Sequence, residues 1–197
     1  MQYLVQRFSV FSKIWVVLLA LLSSMAVNAS SSVEAELVPL HRYWNLAIGD
    51  HFYTADKNEL GNGKDGWVYE GIEGYLFNQP KNGTTPLYRY WNLVAGDHFY
   101  TTNWNELGVD KNFYRLEGIV GYVLTEQKPE SKPLYRYWNP YNTDHFYTTD
   151  WTALANGRQG WGFEKVEGYL YSSPNYIDEC SLPPPPPEEI TEEIIYH

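Results

Sequence analysis

The stretch Arg136–Asp150 reads RYWNPYNTDHFYTTD, and the chain contains it three times with small changes. Arg42–Asp56 reads RYWNLAIGDHFYTAD, and Arg89–Asn103 reads RYWNLVAGDHFYTTN. The copies begin 47 residues apart, and the same spacing separates glycines well outside the stretch, at 74, 121 and 168. Because repeats dictate an architecture, the sequence predicts one domain over 39–177, with repeats at about 39–85, 86–132 and 133–177.

Each repeat carries the pattern of an all-β unit. Pro-Leu-x-Arg-Tyr-Trp-Asn and His-Phe-Tyr-Thr are rich in strand formers and flank a short loop, which predicts a β-hairpin. A capping box, Asp56 to Glu59 in the first copy, predicts one helical turn. The segment 67–77 predicts two further strands joined near Gly74. Three four-stranded units favour a β-trefoil-like fold with pseudo-threefold symmetry, and a three-bladed propeller has the same strand count.

The two ends of the chain differ from the repeats. Arg7 and Lys13 precede an apolar run that begins at Ile14, and small residues follow at Val27 and Ala29. This pattern predicts a signal peptide over 1–29, hence a secreted protein, extracellular or periplasmic, and an uncleaved anchor is the alternative. We interpret 30–38 as a linker. Residues 178–197, with five consecutive prolines and four later glutamates, predict a disordered acidic tail.

Charge and motif content narrow the function. All 24 acidic residues but only 12 of the 14 cations follow residue 29, which leaves a net charge of −12 there. Such an acidic chain repels nucleic acid. The sequence has no nucleophile elbow, phosphate loop or Cys/His metal spacing, and a motif repeated at equal spacing is unlike a catalytic site. We therefore expect no enzyme, no cofactor and no metal, with a hydrolase as a third possibility.

The repeated stretch does contain the side chains of a sugar site. An aromatic ring can stack on a sugar, and planar polar groups can bind adjacent hydroxyls. The candidate ligand-binding residues are Trp44, Asn45, Asp50, His51, Trp91, Asn92, Asp97, His98, Trp138, Asn139, Asp144 and His145. Three copies would gain from multivalency. The same residues can instead be structural, so the sequence leaves both interpretations open.

The repeated arginine favours a structural role. In a strand, Arg42 shares a face with Leu40 and Trp44, so a buried guanidinium there needs an acid. Asp50 and Glu70 are the two acids that every repeat supplies. We expect an Arg–carboxylate pair, with the guanidinium also stacked on Trp44, and Asp50 has an alternative role in the hairpin loop.

The sequence also resembles a known family. Pro-Leu-Tyr-Arg-Tyr-Trp-Asn at 133–139, Asp-His-Phe-Tyr-Thr-Thr at 144–149 and Glu-Gly-Tyr at 167–169 resemble secreted repeats grouped as a domain of unknown function, with LYR-x-x-N…DHFYT units. The resemblance covers all three repeats and implies an exported, trefoil-like accessory or binding module. It assigns no ligand and no site residue. His41 departs from Tyr88 and Tyr135 at the equivalent position.

The expected function is that of a secreted, non-enzymatic, lectin-like module. Its expected partner is a glycan or another extracellular or cell-surface polymer, bound at the repeated hairpins. We expect a monomer that does not span a membrane. The alternative is a structural or protein-interaction module, such as an inhibitor or envelope-associated factor, whose repeats serve only as scaffold.

Overall fold

A computed structural model describes residues 35–176. The predicted signal peptide and the predicted acidic tail lie outside the described residues. The predicted linker, 30–38, is described only in its last four positions. Within these, the first strand already begins at Leu37, because Leu37 and Val38 pair with Phe77 and Leu76. The folded part of the chain therefore extends slightly beyond the predicted domain start.

The described residues form an antiparallel all-β fold, as predicted. The single helix of residues 35–176, α1, spans Trp151–Leu154. The strands in chain order are β1 Leu37–Asn45, β2 Asp50–Thr54, β3 Val68–Phe77, β4 Thr84–Asn92, β5 Asp97–Thr101, β6 Asp110–Lys111, β7 Tyr114–Leu124, β8 Ser131–Asn139, β9 Asp144–Thr148 and β10 Gly162–Tyr171.

Repeats 1 and 3 contain three strands each rather than the predicted four, and the fourth strand of repeat 2, β6, has only two residues. The predicted hairpin is confirmed in all three copies, as β1–β2, β4–β5 and β8–β9. The third strand of each repeat, β3, β7 or β10, then pairs antiparallel with the first. The segment that was predicted to form two strands joined near Gly74 is one continuous strand of 10 residues, Val68–Phe77.

The repeated glycine is needed for packing and does not end a strand. A Cβ at Gly121 would lie 2.2 Å from Leu76 Cδ1 and 2.9 Å from the Phe77 carbonyl oxygen. Equivalent clashes would occur at Gly74 and Gly168. Since only glycine allows this close approach, it brings the third strands of different repeats together. Their ends pair through Tyr75 with Tyr171, Phe77 with Tyr122 and Leu124 with Tyr169.

The predicted capping-box turn has a different role. In repeat 1, the backbone N–H of Asn58 donates to the Asp56 carboxylate, which resembles a helix cap. The Glu59 carboxylate, however, accepts from Thr54 Oγ1 and from Arg89 instead of returning to the Asp56 backbone. The four-residue helix α1 forms in repeat 3, which lacks this glutamate. The capping-box prediction was therefore wrong for Glu59.

The main core lies where the three repeats meet. It combines leucine and valine side chains with one tyrosine from each of β2, β5 and β9, which we call the inner strands. The core residues are Leu40, Tyr53, Leu76, Leu87, Tyr100, Val123, Leu134, Tyr147 and Leu170. Over 35–176, no helix has the length and apolar character needed to cross a bilayer. The inner strands β2, β5 and β9 carry both the core tyrosines and the candidate Asp and His residues.

Candidate functional site

Three tyrosine hydroxyls join the inner strands at the centre of the core. Tyr53 Oη donates to the Tyr147 carbonyl at 2.7 Å and accepts from the Tyr147 N–H at 2.8 Å. Tyr147 bridges to the Tyr100 backbone, and Tyr100 to the Tyr53 backbone, in the same way. A phenol can donate and accept at once. The ring therefore satisfies backbone groups that no neighbouring strand pairs, and we name it the tyrosine ring.

A second ring lies beside it and connects the candidate Asp and His residues. Asp50 accepts from the backbone N–H of His98 at 2.9 Å and bonds to its ring Nδ1 at 2.5 Å. The same two bonds link Asp97 to His145. They also link Asp144 back to His51, at 3.1 and 2.6 Å. This Asp–His ring thus joins each repeat to another, and its three carboxylates have 0% exposure.

Burial determines the electrostatics of the Asp–His ring. Burial, together with the neighbouring Asp50 carboxylate, raises the pKa of Asp144 to about 9. Burial also raises the pKa of Asp50. It lowers the pKa of His51 to about 4, because the charged imidazolium loses its hydration. Both shifts favour the uncharged forms of Asp144 and His51.

The three carboxylates also lie close enough to one another to be considered as cation ligands. One oxygen each from Asp50, Asp97 and Asp144 lies within 4.8 Å of the other two. Carboxylate oxygens bind hard cations. Here, however, each carboxylate already accepts from a histidine backbone and bonds to its ring. The cluster is accounted for as a hydrogen-bonded core.

The candidate asparagines hold the hairpin loops. Asn45 Oδ1 accepts from the backbone N–H of Ala47 at 3.0 Å. Asn92 and Asn139 make the same bond to the residue two positions on, also at 3.0 Å. This is the local turn that asparagine favours. All three asparagines are buried. Their oxygens therefore stabilise the loop that precedes each Asp-His pair.

The candidate tryptophans pack against the histidines and are partly exposed. The ring centroids of Trp44 and His51 are 4.4 Å apart. The corresponding distances are 4.5 Å for Trp91 and His98, and 4.4 Å for Trp138 and His145. The structure thus brings the Trp, Asn, Asp and His of every repeat together. Of the four, only tryptophan remains partly exposed in every copy.

The repeated arginines form clusters at the boundaries between repeats. Arg42 Nε donates to Glu70 at 2.7 Å, which confirms one expected acid. Its guanidinium lies 5.1 Å from the Phe146 ring of repeat 3, so the expected stacking on Trp44 was wrong. Asp50, the other expected acid, instead binds His98. The arginine links repeats, because it crosses to an aromatic ring of another unit.

Sequence reasoning missed two groups that join the repeats. The first is the tyrosine ring, whose residues were interpreted only as strand formers although they are identical in all repeats. The second is Glu73 and Glu167, which pair with Arg42 and Arg136 of their own repeats and accept from the Thr149 and Thr102 N–H groups of other repeats. Their counterpart in repeat 2 is Val120. A polar residue in two copies and an apolar one in the third was the signal that these positions differ between the boundaries.

Fold and site together define an all-β protein with a buried polar core repeated at 47-residue steps. Residues 22–124 match the sequence model of a family described as Domain of unknown function (DUF5648). This match covers more than half of the chain, and the chain belongs to that family. No curated protein and no solved structure gives a significant match.

Proposed function

We propose that this protein is a secreted, non-enzymatic binding module that binds glycans at the end of the fold where its three hairpin loops meet. The observation that carries the proposal is the partly exposed tryptophan of each hairpin, held against a histidine that is itself fixed by a buried aspartate. A rigid aromatic ring offers contact area at small entropic cost.

The proposed architecture is a β-trefoil-like arrangement about a pseudo-threefold axis. The tyrosine ring and the Asp–His ring support it, since both connect equivalent residues of the three repeats in a closed cycle. In this arrangement the three tryptophans are symmetry-related, and three weak sites on one molecule would bind a polymer with higher avidity. Each repeat then differs from a standard trefoil unit in having three long strands.

The loops beside the tryptophans extend the proposed binding surface. Loops of different repeats are in contact, because Thr143 Oγ1 donates to the Ala95 carbonyl at 3.4 Å. Trp91 lies directly under its own loop, 3.9 Å from the Cβ position of Gly96. Partly exposed rings and adjoining loops therefore face the same end of the fold. Asp50, Asp97 and Asp144 support this surface from below, where a ligand cannot reach them.

Exposed apolar loop residues favour the second candidate, a protein-interaction module. Leu46 is 81% exposed, Val94 73% and Tyr141 86%. Exposed apolar patches mark protein contacts, and tyrosine is enriched there, whereas Leu46 and Val94 offer no ring on which a sugar can stack. In this alternative the same end of the fold binds a protein partner.

Export rests on the sequence of residues 1–29, and it would place the module where extracellular polymers are found. N-terminal sequencing of the exported protein tests this part. A mature chain that begins near Ser30 supports it, and retention of residues 1–29 contradicts it.

A glycan array with Trp91→Ala tests the binding proposal. The variant loses a contact at one of three sites, so we expect polymer binding to weaken by about tenfold while the melting temperature changes little. Trp104→Ala is the matched control, because Trp104 is exposed in the same repeat but lies on another loop, against Tyr88. Failure of the parent protein to bind any glycan overturns the proposal, as does equal loss in the control.

A further inference from the structure

A cavity lies at the boundary between repeats 1 and 2. Its volume is about 360 Å³, and its lining includes Ala55, Glu59, Arg89, Glu117 and Val120. This volume is at the lower end of the roughly 300–1,000 Å³ that small-molecule sites occupy. The cavity contains none of the candidate hairpin residues, so the proposed tryptophan surface does not account for it.

The equivalent position at the other two boundaries holds a glutamate. Glu167 accepts from Arg136 Nη1 at 2.6 Å and from the backbone N–H of Thr102 at 2.9 Å. Glu73 makes the same two contacts, with Arg42 and with the Thr149 N–H. At the boundary between repeats 1 and 2, this position is Val120, which can accept neither bond.

The cavity therefore has two hydrogen-bond donors, the Arg89 guanidinium and the Ala55 N–H, whose counterparts at the other two boundaries bind a glutamate. Arg89 is part of its lining, and Ala55 stands where Thr102 and Thr149 receive a glutamate. At the boundary between repeats 3 and 1, the corresponding cavity is smaller, about 270 Å³. Glu73 lines that cavity, whereas Arg42, which pairs with Glu73, is not part of the lining.

Arg89 also lacks one acceptor that Arg136 has. Its Nε lies 2.8 Å from Glu117, like the Nε atoms of Arg42 and Arg136, which lie 2.7 Å from their own glutamates. Arg136 Nη1 donates to both Glu106 and Glu167, whereas Arg89 Nη1 donates to Glu59, and Val120 offers no second acceptor. Since each η nitrogen carries two hydrogens, this geometry favours an added acceptor at the cavity.

The net charge of the arginine clusters indicates whether the ligand's acceptor is charged or neutral. Around Arg42, one guanidinium and two carboxylates leave a net charge of −1. Around Arg136, two cations and three carboxylates give the same value. Arg89 already has two carboxylates, Glu59 and Glu117, and thus also −1. A ligand carboxylate would make this cluster more negative than either of the others, whereas a neutral hydroxyl would leave it unchanged.

We propose that this cavity binds one neutral sugar residue. Its hydroxyl oxygens accept from the Ala55 N–H and the Arg89 guanidinium, in the place that Glu167 fills at the next boundary. Its hydroxyl hydrogens are donated to the carboxylates of Glu59 and Glu117. Each hydroxyl can donate and accept, so a polyol matches this mixed set of donors and acceptors.

The inference shares its ligand class with the proposed function but uses other residues. The tryptophan surface has three equivalent positions, whereas this cavity has its open form at one boundary. The two ideas are therefore separable, because one predicts binding that depends on Trp91 and the other predicts binding that depends on Val120.

Amide chemical shifts of the full chain provide the test. The probes are D-glucose, D-galactose, D-mannose and N-acetylglucosamine, with D-glucuronate as the charged counterpart. At least one neutral sugar should shift the Ala55 amide saturably, with a Kd on the order of 1–10 mM for so small a ligand. Val120→Glu should raise that Kd by at least about tenfold.

Two further variants complete the design. Val120→Gln fills the cavity without adding charge, so it should block binding as Val120→Glu does, and it carries the test if the glutamate variant does not fold. Trp91→Ala should leave the Ala55 response unchanged. The inference is overturned if no neutral sugar shifts Ala55, if both folded Val120 variants still bind, or if glucuronate binds more tightly than every neutral sugar. Glycan-array binding that is lost in Trp91→Ala but kept in Val120→Gln sustains the proposed function alone.

Discussion

The centre of the fold and the boundaries between its repeats use the same sequence repeat in different ways. At the centre, the tyrosine ring and the Asp–His ring make the same contacts in every repeat. At the boundaries, repeats 2 and 3 are joined by both Glu106 and Glu167, and the other two boundaries by one glutamate each, Glu59 or Glu73. Closed rings need every member, whereas separate boundaries can vary independently.

Tyr100→Phe should lower the free energy of unfolding more than any other substitution proposed here, because it interrupts the tyrosine ring at the centre of the fold. The change removes one oxygen but leaves two buried backbone groups of Tyr53 unpaired, its N–H and its C=O. We expect a loss of about 3–5 kcal/mol in the free energy of unfolding. Urea denaturation measures it.

Two tyrosines outside the ring calibrate this effect. Tyr90→Phe removes a single bond, to the Gly108 carbonyl, and should cost about 1 kcal/mol. Tyr88→Phe, in a partly buried ring against Trp104, should cost less than about 0.5 kcal/mol. Equal losses in Tyr100→Phe and Tyr90→Phe would mean that the ring does not act as a closed unit.

The Asp–His ring should make stability depend on pH. The folded-state pKa of Asp144, about 9, lies above its ordinary value of 3.8, so its contribution is complete at low pH and is lost as pH rises towards 9. The pKa of His51, lowered from 6.5 to about 4, acts oppositely between those two values. Of these two groups, only Asp144 changes its contribution above pH 6.5, and stability should then fall by up to about 1.4 kcal/mol per pH unit from this group.

Asp144→Asn isolates this contribution. The amide keeps an oxygen for the His51 N–H and cannot ionise, so the difference in unfolding free energy between variant and parent should move in the variant's favour from pH 6.5 to 8.5. Urea unfolding at a series of pH values measures this difference. A difference that stays constant with pH would show that Asp144 is ionised throughout that interval in the folded protein.

The substitution with the smallest expected effect is at position 153, at the boundary between repeats 3 and 1. Ala153 stands in repeat 3 where Glu59 and Glu106 pair with the arginine of the next repeat. Ala153→Glu would add a third carboxylate to Arg42, beside Glu70 and Glu73, and make the net charge of that cluster −2. We therefore expect it to destabilise the fold by about 0.2–1 kcal/mol at low salt. Ala153→Gln is the uncharged control. A thermal melt at low and high salt measures the loss, which should shrink as salt rises; an equal, salt-independent loss in both variants would point to their lower helix propensity in α1 instead.

The local fold could be predicted from the sequence, and the contacts between repeats could not. The hairpins follow from runs such as Leu40–Asn45 and from short polar loops, which are local signals. The bond from Asp50 to His98 joins residues in different repeats, while the sequence places Asp50 beside His51. Alternation within a strand separates such neighbours, so local reasoning found no contact between them. Because the three repeats are so similar, the sequence also could not show which repeat each side chain contacts.

The candidate site was predicted as a group of residues but not as a set of roles. The sequence could show that Trp44, Asn45, Asp50 and His51 belong together. It could not show that Asp50 has no exposed surface, because burial depends on how the repeats surround one another. The contrast between Val120 and its glutamate counterparts was visible in the sequence, yet it gained meaning only from the arginine that Glu167 contacts.

The bond between His51 and Asp144 spans 93 residues, and the one between Tyr53 and Tyr147 spans 94. During synthesis, neither ring can close until the third repeat has emerged, so fragments of one or two repeats should remain unable to complete the core. The covalent order of the repeats matters less, because Leu37 and Tyr171, near the two ends of the described residues, both pair with the last part of β3, at Phe77 and Tyr75. A circular permutant with new ends in the loop between β3 and β4 should therefore assemble the same core.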